Sequence, residues 1–295
     1  EGFGQNELES ENNQYGDILQ GNFIDSYHNL SYKHTMALKY VAERCTQVPY
    51  ILKCDDDVII NGPVLLNILQ HHQEHLKYNN NNITSHLNNK QLRVKRNPQQ
   101  SYWNTKTKTK DENINLIKYE SEMENEIFAN NNNDNFIYCV TNENAWVRRS
   151  YRSKWRVSPL VYPDAYYPTY CSGGFVLYTK ESASRIYMEA QRKTSNGEAF
   201  LWIDDVYFTG TIAKSVQTRR IDARKRQLTP EDMQDLLTTH RNNRNLLDKG
   251  LLKYMKRIRK DFLIGPWEVQ EQDWHDLWEL IYDGAKFENS ESEND

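Results

Sequence analysis

Residues 50–61 read YILKCDDDVIIN and place three adjacent carboxylates, Asp55, Asp56 and Asp57, between two apolar runs. The first run follows Pro49 and is typical of a short buried strand. Adjacent carboxylates repel one another, and this repulsion raises their pKa values unless positive charge is supplied. Open α/β sheets bind ligands at the carboxyl ends of their strands. The stretch therefore indicates either a site at which Asp55 and Asp57 hold a hard divalent cation or a solvated acidic loop that caps the next helix.

Strand and helix patterns alternate on the N-terminal side of the carboxylates. The run YGDILQGNF (15–23) predicts a short strand, and helical spacing of apolar residues predicts a helix over 29–45 with Asn29 as its N-cap. After the carboxylates, Pro63 is suited to the first turn of a further helix. This order predicts an α/β fold with a mostly parallel sheet flanked by helices.

The C-terminal part of the chain repeats this kind of pattern. The runs FIYCV and FVLYT predict strands, KESASRIYMEAQRK predicts a helix, and FLWIDDVYFTGTIAKS predicts a turn that enters a helix. The segment 249–284 predicts helix that is amphipathic in part. We therefore divide the ordered chain into a first half, 1–78, and a second half, 136–285, followed by an acidic tail, 286–295.

Between the two halves lies an Asn-rich segment, residues 79–135. Tracts of asparagine open and close it, and a basic stretch is followed by an acidic one. Because it offers few apolar residues to offset the entropy of ordering, its composition predicts a disordered insertion.

Composition narrows the classes of function. The 295 residues carry a net charge of −4, which argues against nucleic acid as the main partner because phosphate binding needs a basic surface. No apolar run approaches the length of a membrane span. The four cysteines have no C-x-x-C spacing, and their connectivity cannot be read from the sequence. An i,i+4 histidine pair, His71 and His75, lacks an evident third zinc ligand.

Two further clusters have the composition of a sugar site. Asp204 and Asp205 follow Trp202, and an aromatic ring beside carboxylates can stack on a sugar while a carboxylate accepts a hydroxyl proton. An N-cap for the helix that follows is the alternative. The segment KWRVSPLVYPDAYYPTYCSGGFVLYT forms the second cluster, and its tyrosines and tryptophan can be either core or the wall of a binding site.

Four stretches together resemble the β-1,3-galactosyltransferase family, which includes β-1,3-N-acetylglucosaminyltransferases and has distant relatives in the Fringe enzymes. These stretches, in the family's order, are YGDILQGNFIDSYHNLSYKHTMALKYVAERC, YILKCDDDVIIN, KWRVSPLVYPDAYYPTYCSGGFVLYT and IDDVYFTG. They cover roughly residues 15–78 and 136–213. The resemblance implies a GT-A-type fold and a hexosyltransferase that inverts the anomeric centre.

The resemblance also implies roles for individual residues. The metal Mn²⁺ would be bound by Asp55 and Asp57, and the UDP-sugar donor by Lys33, Asp55, Asp56 and Asp57. Asp205 would be the general base. The sugar and acceptor sites would be lined by Trp155, Tyr162, Tyr170, Gly173, Gly174, Trp202 and Asp204.

The resemblance leaves some expectations open. Family members have a cytoplasmic tail, a transmembrane helix and a stem, so we expect a Golgi type II membrane protein whose lumenal part this chain represents. We also expect the first nucleotide-binding strand to be missing from the chain. The donor is either galactose or N-acetylglucosamine, and the acceptor is a glycan on a protein or lipid. A catalytically impaired relative that binds glycan or a partner enzyme is the alternative.

Overall fold

The computed structural model describes residues 4–89, 135–198, 200–242, 262–265 and 269–283. The chain divides into two compact units, one formed by residues 1–56 and 135–224 and the other by residues 57–134 and 225–295. The boundary between them falls inside the carboxylate run, between Asp56 and Asp57.

The first unit is built on a four-stranded sheet in the order β1-β3-β2-β4. The strands are β1 (Tyr50–Cys54), β2 (Phe136–Asn142), β3 (Tyr170–Thr179) and β4 (Arg219–Asp222). Strand β3 pairs antiparallel with both β1 and β2, whereas β2 and β4 are parallel. The predicted α/β class is confirmed, but the sheet is mixed and not mostly parallel, because two of its three strand pairings are antiparallel, although β1, β2 and β4 all run in the same direction. The reversed strand β3 lies between β1 and β2 because an irregular segment, 143–169, returns the chain from β2 without a crossover helix.

The helical elements of the first unit include the helices predicted at 29–45 and 180–193. They are α1 (Gln5–Tyr15), a 3₁₀ turn (Tyr27–Asn29), α2 (Leu30–Arg44), α4 (Lys180–Ser195), a π-helix (Asp205–Ile212) and α5 (Ala213–Ser215). Asn29 occupies the N-cap position of α2, but its side chain donates to Ile24 O instead of accepting from the helix. Helix α4 begins at a true cap, since the Thr179 side chain accepts from Ser182 N.

The predicted strand at 15–23 is not formed. Helix α1 ends at Tyr15, its C-cap residue Gly16 adopts a left-handed conformation with φ of 68°, and residues 16–26 have no regular structure. Most of these residues are exposed. Polar residues interrupt the apolar ones, so the segment has too little apolar surface to bury as a strand.

The core of the first unit lies between the sheet and helices α2 and α4. Its central residues are fully buried and include Ile137, Val176, Tyr178, Ile186 and Phe208. A disulfide between Cys139 and Cys171 joins β2 to β3. Cys45 and Cys54 are free thiols. This core fixes β1, β3 and the start of the π-helix relative to one another.

The regular elements described in the second unit are mainly helices, with isolated β-bridges from Ile264 to Ile60 and to Gln227. The unit contains α3 (Gly62–Asn89), α6 (Pro230–Asn242), α7 (Glu271–Trp278) and a π-helix (Glu279–Asp283). Its core includes Ile59, Leu236, Leu237 and Leu277. Arg241 bridges α6 to α7, because its guanidinium lies 2.6 Å from Asp273 Oδ1 and 2.5 Å from Asp276 Oδ2.

The boundaries of the predicted insertion need correction at both ends. Helix α3 continues to Asn89, so residues 79–89 are helical, since each residue added to an existing helix gains a backbone hydrogen bond. Asn135 is buried and accepts a hydrogen bond from Thr218 Oγ1 at 2.7 Å. The rest of the predicted insertion, 90–134, and the acidic tail lie outside the described residues. Among the described helices, none combines the length and the apolar composition that a membrane span requires.

Candidate active site

Lys53 is the cation at the centre of a cluster of carboxylates in the first unit. Its Nζ lies 3.5 Å from Asp55 Oδ1 and 3.8 Å from both Asp204 Oδ2 and Asp205 Oδ1. It also donates a hydrogen bond to Gly173 O at 3.1 Å. Burial opposes the charge of Lys53, but Asp205, Asp204 and Asp55 together hold its pKa above the usual value. Lys53 therefore stays charged and partly offsets the carboxylates.

Strand geometry brings Lys53 to this position. In the register of β1 with β3, Lys53 is opposite Val176 and Cys54 is opposite Phe175. The Asp55 N–H donates to Gly174 O at 3.4 Å, so pairing with β3 extends to the first carboxylate. Gly173 and Gly174 thus lie within strand β3, where Gly173 O accepts from the Lys53 ammonium and Gly174 O accepts from the backbone N–H of Asp55.

Gly173 makes room for the carboxylate of Asp205. A Cβ atom at residue 173 would lie 2.7 Å from each oxygen of that carboxylate, which is too close for any side chain. The start of the π-helix is fixed by Thr209, whose hydroxyl donates to Asp205 O at 2.5 Å and accepts from Cys171 N at 2.8 Å. Wider π turns are common at functional sites. Here the π turn sets Asp205 against the backbone of β3.

Asp204 belongs to a buried hydrogen-bonded chain. His34 Nδ1 lies 3.0 Å from Asp204 Oδ2, and His34 Nε2 lies 3.2 Å from the Tyr178 hydroxyl. A carboxylate accepts, so Nδ1 carries the proton and Nε2 accepts from Tyr178. Burial lowers the pKa of His34 and raises that of Tyr178, so both groups are neutral.

The two neighbouring aspartates differ in ionisation. Burial opposes the charge of Asp204, but the hydrogen bond from His34 and the Lys53 ammonium hold its pKa below the usual value. Burial and the Asp204 charge raise the pKa of Asp205 to about 7, with Lys53 acting in the opposite direction. Asp205 Oδ1 is also excluded from solvent and has no hydrogen-bond partner. Neighbouring carboxylates with pKa values pushed apart are the arrangement that suits a general base.

Not every predicted site residue joins this cluster. Lys33 is exposed and lies 3.4 Å from Asp25 Oδ1, and in the described part of the chain it forms no ion pair with the three carboxylates that surround Lys53. Asp56 and Asp57 are exposed, and Asp57 belongs to the second unit. The side chain of Asp55 is about half exposed.

A hard divalent cation such as Mn²⁺ or Mg²⁺ needs several oxygen ligands. Across the described ranges, no group of three or more histidine, cysteine, aspartate or glutamate side chains is arranged to hold a metal ion. Asp55 and Asp57 are exposed carboxylates two residues apart, and such oxygens suit Mn²⁺.

The predicted aromatic residues form two groups in the first unit. The Trp155 and Trp202 rings are nearly parallel, with centroids 6.2 Å apart and an interplanar angle of 7°. The second group is a run of tyrosines in which Tyr167 contacts both Tyr162 and Tyr170. Burial raises the pKa of Tyr170, and the charge of Asp205 adds to this shift. Among these predicted aromatic residues, Tyr170 therefore interacts with the charge of Asp205.

Three members of the cluster were not predicted from the sequence: Lys53, His34 and Tyr178. Lys53 directly precedes the Cys54-Asp55 pair, so its position beside the carboxylates was available as a signal. His34 and Tyr178 come from α2 and β3, and no local pattern in either element indicates that they meet Asp204.

Replacing Gly173 with alanine tests how closely Asp205 contacts β3. We expect Gly173→Ala to lose about 1–3 kcal/mol of unfolding free energy, because the added methyl forces the carboxylate to move. Urea denaturation measures this loss. In an Asp205→Ala background the same substitution should cost much less, and the double-mutant cycle isolates the contact. Equal losses in both backgrounds would show that Gly173 is needed for another reason.

Comparison with known proteins agrees with these features. A family profile described as Galactosyltransferase matches residues 5–119 and 108–224. Beta-1,3-galactosyltransferase 2 of Homo sapiens is 26% identical over 213 residues, which cover 72% of this chain and 36% of the relative. Beta-1,3-galactosyltransferase 1 of Mus musculus is 26% identical over 200 residues, which cover 68% of this chain and 42% of the relative.

The extent of the profile match assigns the chain to a protein family. Since the profile covers more than half of the residues, the chain belongs to the galactosyltransferase family. The aligned parts span about two fifths of the length of these two relatives.

Proposed function

We propose that this protein is an inverting hexosyltransferase that moves galactose or N-acetylglucosamine from a UDP-sugar to the 3-hydroxyl of an acceptor glycan, forming a β-1,3 bond. The observation that carries the proposal is the Asp204–Asp205 pair, in which Asp205 has a raised pKa and its buried Oδ1 has no hydrogen-bond partner. The names of the matched relatives support the type of linkage and galactose as one donor.

In this mechanism Asp205 removes a proton from the acceptor hydroxyl as that oxygen attacks the anomeric carbon. A pKa close to working pH lets the carboxylate be ionised before the reaction and still bind a proton firmly afterwards. Asp204 stays ionised through its bond to His34, and its charge makes Asp205 a stronger base. The Lys53 ammonium lowers the pKa of Asp205 and so allows this carboxylate to ionise beside the charge of Asp204.

Asp55 and Asp57 would hold Mn²⁺ on the diphosphate of the donor. When bound, the metal supplies a Lewis acid that neutralises charge on the departing UDP. The protein would supply only these two carboxylates, and the donor oxygens would fill further positions. Asp56 lies between the two in the chain and adds to the negative potential that attracts the ion.

Calorimetry of UDP binding with and without Mn²⁺ tests the metal assignment. We expect UDP to bind the purified protein tightly only when Mn²⁺ is present, because the metal links carboxylates to phosphates that would otherwise repel them. Asp57→Ala should abolish the Mn²⁺-dependent part of binding, whereas Asp25→Ala, a change at an exposed aspartate outside the carboxylate run, should leave it unaltered. Equal Mn²⁺–UDP affinity in Asp57→Ala and wild type would contradict the assignment.

The proposed compartment is the Golgi lumen, with the catalytic part held at the membrane and acting on glycoprotein or glycolipid acceptors. The Cys139–Cys171 disulfide supports an oxidising compartment, since such bonds persist in the secretory pathway and are rare in the cytosol.

A further inference from the structure

One segment of the first unit has a charge opposite to that of the chain. Residues 145–163 contain five cationic side chains and no carboxylate, although the whole chain has a net charge of −4. The five are Arg148, Arg149, Arg152, Lys154 and Arg156, and they are called the cationic segment below.

Only one of these five has a clear role in folding. The Arg149 guanidinium donates to the backbone carbonyls of Val157, Tyr162 and Asp164 at 2.9, 2.7 and 2.7 Å. The other four have no carboxylate within ion-pair distance in the described part of the chain. Arg156 lies 3.8 Å over the exposed Tyr151 ring, and its buried Nε has no hydrogen-bond partner.

The cationic segment borders the aromatic residues of the candidate site at two points. Lys154 Nζ lies 5.1 Å from the centre of the Trp155 ring, which stacks on Trp202 just before Asp204. At the other point, the Arg148 charge acts on Tyr170, where it opposes the rise in pKa that burial and the Asp205 charge cause. Unpaired cations thus flank the residues that would receive an acceptor sugar.

We propose that the acceptor is an acidic glycan, whose carboxylate, sulfate or phosphate group is bound by Arg148, Arg152 and Lys154 beside the Trp155–Trp202 pair. This inference rests on the proposed function and narrows its acceptor class. Guanidinium and ammonium groups bind such anions through charge-assisted hydrogen bonds, and the adjacent indole rings bind the apolar face of the sugar. Exposed unpaired cations also raise the local concentration of an anionic substrate. The other anion present in the reaction is the diphosphate of the donor, and the experiment separates the two.

The test compares transfer to matched disaccharides that differ only in one group: a neutral galactosyl disaccharide and the same disaccharide carrying a sulfate. We expect the wild-type protein to show a kcat/KM for the sulfated acceptor on the order of tenfold higher, mostly through KM. In the double variant Arg152→Gln/Lys154→Gln the ratio of the two kcat/KM values should fall close to one. Lys214→Gln, a change of an exposed lysine on α5, is the matched control and should keep the wild-type ratio.

The outcomes show whether the cationic segment binds the acceptor, the donor diphosphate or neither. A ratio that is unchanged in the double variant, or a wild-type preference for the neutral acceptor, overturns the proposal. A raised KM for the UDP-sugar with an unchanged acceptor ratio assigns the cations to the donor diphosphate and also overturns it. Calorimetry of the sulfated disaccharide without donor separates this inference from the proposed function. Binding that depends on Arg152 and Lys154 in a protein without transfer would support the acidic ligand and contradict the transferase.

Discussion

Asp205→Asn should reduce sugar transfer by about 10²–10⁴-fold and yet raise the melting temperature of the metal-free protein at pH 8. The amide keeps the size of the carboxylate but cannot accept a proton from the acceptor. A residue that merely starts a helix would give the opposite pattern, with near-normal turnover, because asparagine caps a helix as well as aspartate.

The stability effect follows from the direction of the pKa shift. The pKa of Asp205 is raised in the folded state to about 7, so the folded protein binds this proton more tightly than the unfolded chain. Stability from this group is greatest at low pH, falls as the pH rises from about 4 towards 7, and stays low above that range. Asparagine removes the ionisation, and its benefit should therefore be largest at pH 8 and shrink towards pH 5.

Melting curves of both proteins from pH 5 to 9, in buffer with a chelator, measure this effect. Transfer is measured with radiolabelled UDP-galactose and UDP-N-acetylglucosamine. Near-normal turnover in Asp205→Asn would remove Asp205 as the base, and a melting temperature that is lower at all pH values would contradict the ionisation described for it.

Asp204→Asn is the matched control, because its stability effect should have the opposite sign. The pKa of Asp204 is held below the usual value, so its charge contributes stability at neutral pH that is lost as the pH falls through its folded-state pKa. The amide would weaken the bond with His34 and the attraction to Lys53. We expect Asp204→Asn to melt lower than wild type at pH 8.

The sequence predicted the elements whose patterns are local. Helices α2 and α4 and strands β1, β2 and β3 have periodic or continuous apolar residues, and the structure contains each of them. Strand pairing is a long-range property, and the apolar run of β3 does not encode that it inserts antiparallel between β1 and β2. The local pattern alone also indicated a strand at 15–23. The structure has none there, because Gly16 follows the end of α1 in a left-handed conformation and most of the next residues are exposed.

The residues of the candidate site also divide into those that a local motif identifies and those that only the long-range fold brings together. Asp55, Asp205 and Gly173 were identified because each lies in a short recognisable motif. The contact of His34 with Asp204 spans 170 residues, and no local rule predicts such a pair. The motif predicted Lys33 as the lysine that contacts the donor. In the structure Lys33 pairs with Asp25, and Lys53 is the lysine that lies beside the carboxylates, because side chains alternate between the two faces of β1.

Lys53→Met should destabilise the protein at neutral pH and strongly reduce transfer. The substitution keeps a long side chain and removes the cation that lies within 4 Å of Asp55, Asp204 and Asp205. Removing one partner of a buried ion pair costs about 3–5 kcal/mol. The Lys53 side chain is 28% exposed, so solvent screening reduces the expected loss to about 1–3 kcal/mol.

The loss should depend on pH in a defined direction. Because its folded-state pKa is raised, Lys53 contributes its stability throughout the range below its unfolded value of about 10.4. In Lys53→Met the carboxylates lack this cation, and their repulsion grows as they ionise. We therefore expect the difference from wild type to be largest near pH 8 and smaller near pH 5, where Asp205 is protonated in both proteins.

Lys33→Met is the matched control for this last prediction. Lys33 is also a lysine beside an aspartate, at 3.4 Å from Asp25, but both side chains are mostly exposed. Such surface pairs contribute at most about 1 kcal/mol, so this variant should melt close to wild type at every pH. Melting curves and transfer rates of the two variants distinguish the lysines. Equal losses of transfer would return Lys33 to the donor site, and an unaltered Lys53→Met protein would mean that the carboxylates need no cation from the chain itself.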